Sequence, residues 1–174
     1  MQNQTLIQCS ACHHPFEAAV YTYINAEEDP DAKYLLVTGR LNYASCPQCQ
    51  TPNTIATPLL YHDPTKELLI AYVPMELNLT KDAQEKAIGD LMNKMPKTDF
   101  KGYMFNPRRA LTLQGIVDQI LEADGVTPEE LEKQRQRVEL AQKLLESTNP
   151  EELVAAVKEN DAQIDENVFQ VINI

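Results

Sequence analysis

The chain contains no tryptophan and only five glycines in 174 residues. Glycine that sparse supplies no Gly-rich loop able to cradle a phosphate group. Long apolar runs are also missing. The longest, Leu68 to Val73, falls far short of the about 20 apolar residues that a membrane-spanning helix needs. The opening residues Met1-Gln2-Asn3-Gln4 carry no charged side chain and lead into no apolar core segment, so no secretory signal is expected. Positive charge is scarce: 15 Lys and Arg stand against 26 Asp and Glu, for a formal net charge of -11. A field of that sign repels nucleic acid and anionic membranes. These absences together predict a cytoplasmic protein with no membrane partner.

Cysteine is scarce too, but it is patterned. All four cysteines fall in two pairs of equal spacing, Cys9-Ser-Ala-Cys12 and Cys46-Pro-Gln-Cys49. Where thiols stay reduced, paired cysteines are more often metal ligands or redox groups than disulfides. Two residues between cysteines let both thiolates of a tight turn face one ion, and two such turns supply four sulfurs in a tetrahedron. The pattern predicts one structural Zn2+ per chain, held by Cys9, Cys12, Cys46 and Cys49. A rubredoxin-like iron site uses the same four thiolates, and ligand type does not separate the two metals. A thiol–disulfide redox role is a third reading. A thioredoxin-type pair, however, opens a helix in a βαβ context, and that context is missing here. His13 and His14 follow Cys12 directly; with four thiolates completing a site, they read as exposed or supporting residues.

Around the cysteines the sequence is β-rich. Phe16 to Ile24 has the Val, Tyr, Thr and Ile content of a strand. Pro30 opens a short helix over Asp31 to Val37, with Gly39 placed to end it. Leu41 to Ser45 forms another short strand. Asn53 to His62 and Glu67 to Val73 read as a hairpin turning at His62-Asp63-Pro64-Thr65-Lys66. His62 and Asp63 side by side suggest an acid–base pair, but a capped hairpin turn accounts for both, and no nucleophile or third partner accompanies them. Between the cysteine pairs lie 33 residues, more than the roughly 15–20 of a compact four-cysteine site. A metal there would close a long loop, so its removal is expected to unfold this half of the chain.

Cys9-Ser-Ala-Cys12, Tyr23-Ile24-Asn25, Asp29-Pro30, Gly39-Arg40-Leu41-Asn42, Cys46-Pro47-Gln48-Cys49 and Leu60-Tyr61-His62-Asp63 together resemble the bacterial and archaeal CpXC domain. The resemblance covers about the first 78 residues and is expected to extend into the helical remainder. It implies metal held through the cysteines and implies no reaction. Two features depart from the family pattern. Ser10 stands where Pro is usual, and His13 and Gln50 stand where Gly commonly follows each second cysteine and relieves backbone crowding.

From Thr80 the hydrophobic period becomes helical. Ala83, Ala87, Ile88, Leu91, Met92 and Met95 share a face, with Thr80 as N-cap and Pro96 as terminator. A second helix is expected to open at Asn106-Pro107, with Ala110, Leu113, Val117, Ile120 and Leu121 inward and Gly125 at its end. Thr127-Pro128-Glu129-Glu130 starts a third by a capping box, and Asn149-Pro150-Glu151-Glu152 a fourth. The stripes suit a small bundle or a dimer interface. The apolar ending, Val168 to Ile174, should dock on this chain or a partner. Lys94, Lys97, Lys101, Arg108 and Arg109, interleaved with Phe100, Tyr103 and Phe105, form a weak candidate for nucleic acid; a loop pinned by its aromatics is the plainer reading.

The expected fold is α+β: a zinc-ribbon or rubredoxin-like metal-stabilised β region over residues 1–78, then an all-α region of about four helices over 79–174. The expected function is non-enzymatic, a zinc-stabilised interaction or scaffold module that meets a protein partner or a second copy of itself. Four thiolates close a zinc site, whereas catalytic zinc keeps a position open. A redox or iron electron-transfer module and a nucleic-acid accessory factor are the alternatives.

Overall fold

A computed structural model of the chain describes residues 2–95, 101–133 and 136. In chain order the strands and helices are β1 (Gln2–Gln8), β2 (Pro15–Tyr21), β3 (Tyr23–Asn25), α1 (Pro30–Val37), β4 (Tyr43–Ser45), β5 (Pro52–Thr54), β6 (Leu59–Asp63), β7 (Leu68–Tyr72), α2 (Lys81–Lys94), β8 (Arg108–Ala110) and α3 (Leu113–Ala123). The mixture of strands and helices is α+β. Two compact units divide after Ala123.

Strands β6 and β7 are buried along almost their whole length, and residues 59–61 and 68–72 are apolar runs, because both faces of their sheet are covered. Alternate side chains go to opposite sides. Leu59, Tyr61, Leu68 and Ile70 join Ala32 and Leu36 of α1 and Ile116 and Ile120 of α3 in one core. Leu60, Leu69 and Ala71 join Ile88 and Leu91 of α2 in a second core on the other side. The sheet between has the order β3-β6-β7-β8, with β6 and β7 antiparallel and the two outer strands parallel to their neighbours. Two separate antiparallel hairpins, β1–β2 and β4–β5, stand beside it.

Local signals set several boundaries. Asp29 caps α1 by accepting from Ala32 N, Pro30 occupies its first turn, and Gly39 follows its end at φ 70. Thr80 Oγ1 accepts from Ala83 N at 3.3 Å to start α2; Pro96, its expected terminator, lies outside the described residues. In the second unit, Gly125 has φ 94, and Thr127 and Glu130 make the reciprocal capping-box bonds at 2.9 and 3.2 Å. Helix follows over 128–133. The fourth helix expected from Asn149 and the apolar ending lie outside the described residues.

Three expectations need correction. The strand expected over Phe16 to Ile24 is two strands in two sheets, β2 and β3, because Thr22 O accepts from Leu60 N and hands the chain to β6. The strand expected over Asn53 to His62 is likewise divided between β5 and β6. The helix expected to open at Asn106-Pro107 begins later. Arg108–Ala110 instead fill the open side of β7, pairing with Ile70, Ala71 and Tyr72. Val73 N and Met75 N continue that line by donating to Ala110 O and Leu111 O, both at 3.0 Å. Thr112 then caps α3, its Oγ1 accepting from Gly115 N at 3.0 Å. The region expected to be all-α therefore returns a strand to the sheet, and this sheet runs across the expected boundary at 78.

Candidate metal centre

Each hairpin carries one cysteine pair at its tip. The tips have the same backbone plan. Cys9 N donates to His14 O and His13 N returns to Cys9 O, both at 3.0 Å; Cys46 N donates to Thr51 O at 2.9 Å and Gln50 N to Cys46 O at 2.8 Å. Closing so tight a turn takes a residue in the left-handed region. His13 at φ 57 and Gln50 at φ 59 occupy it in the two tips. Glycine holds this conformation at least cost, so the strain is here borne by larger side chains.

The hairpins meet through an apolar floor. Cys9 and Cys46, each 1 % exposed, pack with Phe16 and Ala18, flanked by Ile7, Ala44 and Ile55. Cys12 and Cys49 face outward. The four Sγ atoms all lie within 4.8 Å of one another. Cys9 and Cys49 are 3.5 Å apart and Cys12 and Cys46 3.7 Å. A tetrahedron built on metal–sulfur bonds of about 2.3 Å has edges of about 3.8 Å, so this donor set fits a tetrahedrally held metal ion.

The electrostatics agree with that fit. Cys9 is lowered to about 6, chiefly by the backbone hydrogen bond from Cys12, and by further bonds from Ala11, Cys49 and Cys12 against the cost of burial. Thr51, through its hydroxyl and its backbone, holds Cys49 below the ordinary thiol range. Cys12 goes the other way. The His14 backbone favours its thiolate, but burial and the sulfurs of Cys49, Cys46 and Cys9 together push it up to about 12. Cys9 and Cys49 thus favour the thiolate while Cys12 beside them resists it. A cation at the centre of the cluster favours the thiolate form of all four.

Side chains that no cysteine spacing advertises tie the two tips together. Asn53 of β5 is buried; its Oδ1 accepts from Ser10 N at 2.8 Å, and its Nδ2 donates to Thr51 O at 2.8 Å and approaches Cys9 Sγ at 3.8 Å. Cys49 Sγ lies 3.2 Å from Thr51 Oγ1. Asn42, at φ 55, joins the first hairpin to the second. Its Oδ1 accepts from Tyr21 N at 2.6 Å, its Nδ2 donates to Tyr21 O at 3.0 Å, and its backbone O accepts from Ile55 N. The only available sequence signal was an asparagine placed in or beside a short strand, where asparagine is disfavoured without a polar task.

The remaining candidates lie elsewhere. Among the described residues, the grouped ligand atoms belong to the four cysteines and to neither histidine. His13 is exposed and His14 half-buried. His62 is not in an open turn. It is a buried residue of β6, with Nδ1 3.2 Å from Tyr23 Oη and Nε2 2.8 Å from Tyr103 Oη. Burial, foremost, lowers its pKa. Asp63 does cap the turn, its Oδ1 accepting from Thr65 N at 3.2 Å and from the Thr65 hydroxyl at 2.6 Å. In the basic stretch, Arg109 is held by Glu85 through a pair of bonds at 2.6 and 3.1 Å. Lys94, Lys101 and Arg108 are exposed, while Lys97 and Phe100 lie outside the described residues. No described helix is long and apolar enough to cross a membrane.

No curated protein and no solved structure matches the chain. The family model described as CpXC protein matches residues 7–134, a span that holds both cysteine pairs and every strand from β2 to β8. With most of its length matched, both pairs included, the chain belongs to the CpXC family.

Proposed function

We propose that Cys9, Cys12, Cys46 and Cys49 hold one Zn2+ per chain, and that the site is structural. The observation that carries this is the grouping of four sulfurs within 4.8 Å at the tips of two hairpins of like plan. Two tips of this kind facing each other make a zinc-ribbon-like arrangement. When bound, zinc supplies the positive charge that keeps four thiolates together; it needs no redox change to do so. The chain's own residues do the rest. Cys9 and Cys46 anchor the site in the apolar floor, Asn53 and Thr51 orient the sulfurs, and Asn42 fixes one hairpin to the other.

Four protein ligands leave no open position for substrate. The function that suits such a site is non-enzymatic: the metal fixes a surface that meets a protein partner or another copy of the chain. Thiolates of this kind persist in a reducing compartment, which suits the cytoplasm. Cobalt substitution tests the closed site. A Co2+ form should show the intense visible absorption of tetrahedral thiolate ligation, unchanged by added azide or cyanide. A spectrum that shifts with added anion would mean an open position and would favour catalysis.

A further inference from the structure

Strand β1 pairs with β2 on one side and, among the described residues, with no strand on the other. Its backbone pattern follows from one residue. Gln8 stands opposite Pro15, which has no N–H to exchange, so theirs is a non-hydrogen-bonded pair. By alternation, Asn3, Thr5 and Ile7 bond to β2, while Gln2, Gln4, Leu6 and Gln8 turn their N–H and C=O groups outward. Tyr21, opposite Gln2, confirms the alternation: its outward N and O are both taken by the Asn42 side chain. The β2 edge is thus closed at that point by a side chain made to mimic a strand. Among the described residues no side chain covers the β1 edge in this way, and six of its seven residues are exposed.

Proteins normally blunt a free edge with lysine, proline or a bulge. Strand β1, Gln-Asn-Gln-Thr-Leu-Ile-Gln, has no charge and no proline, and its pairing with β2 runs one-to-one without a bulge. In a chain of net charge -11, a neutral edge is where two like-charged copies approach with least repulsion.

We propose that β1 is the edge through which two copies of the chain pair, antiparallel about a two-fold axis at Thr5, so that two hairpins form one four-stranded sheet. This rests on the reading that the metal-bearing hairpins form an interaction surface, and it names the partner. The register is set by the backbone. Outward-facing residues must oppose outward-facing residues, and centring on Thr5 places Gln2 against the partner's Gln8 and Gln4 against the partner's Leu6. All four outward residues of each strand are then satisfied; shifting by two residues in either direction leaves some unpaired. Leu6, 71 % exposed in the single chain, gains its own symmetry mate as a diagonal neighbour. One strand pair buries less than a standard interface, so the dimer should be concentration-dependent, with half-association at about 10–100 µM.

Sedimentation velocity of the full chain over that range, with metal content measured on the same samples, tests the proposal. The expected result is a mass rising from 19.7 kDa toward twice that value. Gln4→Pro removes an outward N–H and leaves the bonds to β2 in place, and should hold the chain monomeric with its metal unchanged. Gln4→Lys keeps the backbone but sets like charges on the diagonal, and should weaken association by about tenfold. A wild-type chain that stays monomeric with metal bound overturns the pairing alone. A monomer without metal counts against both readings. A dimer without metal, if abolished by Gln4→Pro and weakened by Gln4→Lys, supports the pairing and counts against the metal. A dimer unaffected by either variant places the interface elsewhere and overturns the proposal.

Discussion

Asn53 on the strand after one cysteine pair accepts a 2.8 Å hydrogen bond from the backbone N of Ser10, inside the other pair. That bond crosses between hairpins that form separate sheets. The buried amide also bonds Thr51 O and approaches Cys9 Sγ. Three of its neighbours are therefore parts of the cysteine-bearing tips.

Asn53→Ala should leave these groups under-satisfied and loosen the geometry of the sulfurs. The expected cost is about 1–3 kcal/mol in folding stability and about 10- to 100-fold in metal retention. Competition with a chelator of known affinity measures the second effect. Asn53→Ala holding metal as tightly as wild type would show that the cysteines alone set the site.

Removing metal should act unevenly. The sulfur cluster has its own apolar floor, whereas the two cores on the four-stranded sheet contain no cysteine. Chelation, or Cys46→Ser, should release the amides of β1, β2, β4 and β5 to rapid exchange while β6 and β7 stay protected. Hydrogen exchange resolved by residue distinguishes this from the loss of the whole region that sequence alone suggests. Uniform exchange across both groups of strands would mean that metal holds the sheet as well.

His13 and Gln50 carry positive φ without being glycine. Gln50→Gly should therefore raise stability of the metal-loaded protein by about 1 kcal/mol, less whatever glycine costs in the unfolded chain. Gln50→Val, β-branched at a left-handed position, should lower it by about 1–2 kcal/mol. Urea midpoints read both shifts. Equal destabilisation by Gly and Val would mean that the Gln side chain itself matters.

Burial lowers the pKa of His62. The unfolded chain then takes up a proton at a higher pH than the folded chain does. Below about 6.5, the ordinary histidine value, the unfolded state binds more protons, so stability should fall as pH drops through that window. Comparison with His62→Gln, at matched metal content, isolates the effect. The variant should be less stable at neutral pH and show a shallower loss on acidification. Parallel pH curves for the two proteins would contradict the assignment.

What could be read from sequence was what is encoded locally. The two cysteine spacings, the opening of α1 at Pro30, the Thr80 cap and the Thr127–Glu130 box each lie within a few residues, and the structure places each as expected. What escaped depends on partners distant in sequence. Arg108-Arg109-Ala110 has little strand character of its own; it is a strand because β7 offers an unfilled edge. Asn106-Pro107 imitated a helix start, but the capping residue in use is Thr112. His62 looked like a turn residue because Tyr23 and Tyr103, which enclose it, come from other parts of the chain. Asn42 and Asn53 fell within expected strands with no task assigned to them; folding sets their amides against the backbone of another hairpin.

The most direct test of the central claim is the metal content of protein purified without added metal, taken with the absorption spectrum and thiol count of the same sample. One equivalent of zinc per chain, no visible colour and four thiols released only on chelation or denaturation is the expected result. Iron with a visible thiolate band, reproduced when iron is limited during expression, would make electron transfer the function. A folded protein with no metal and four freely reactive thiols would contradict the claim outright.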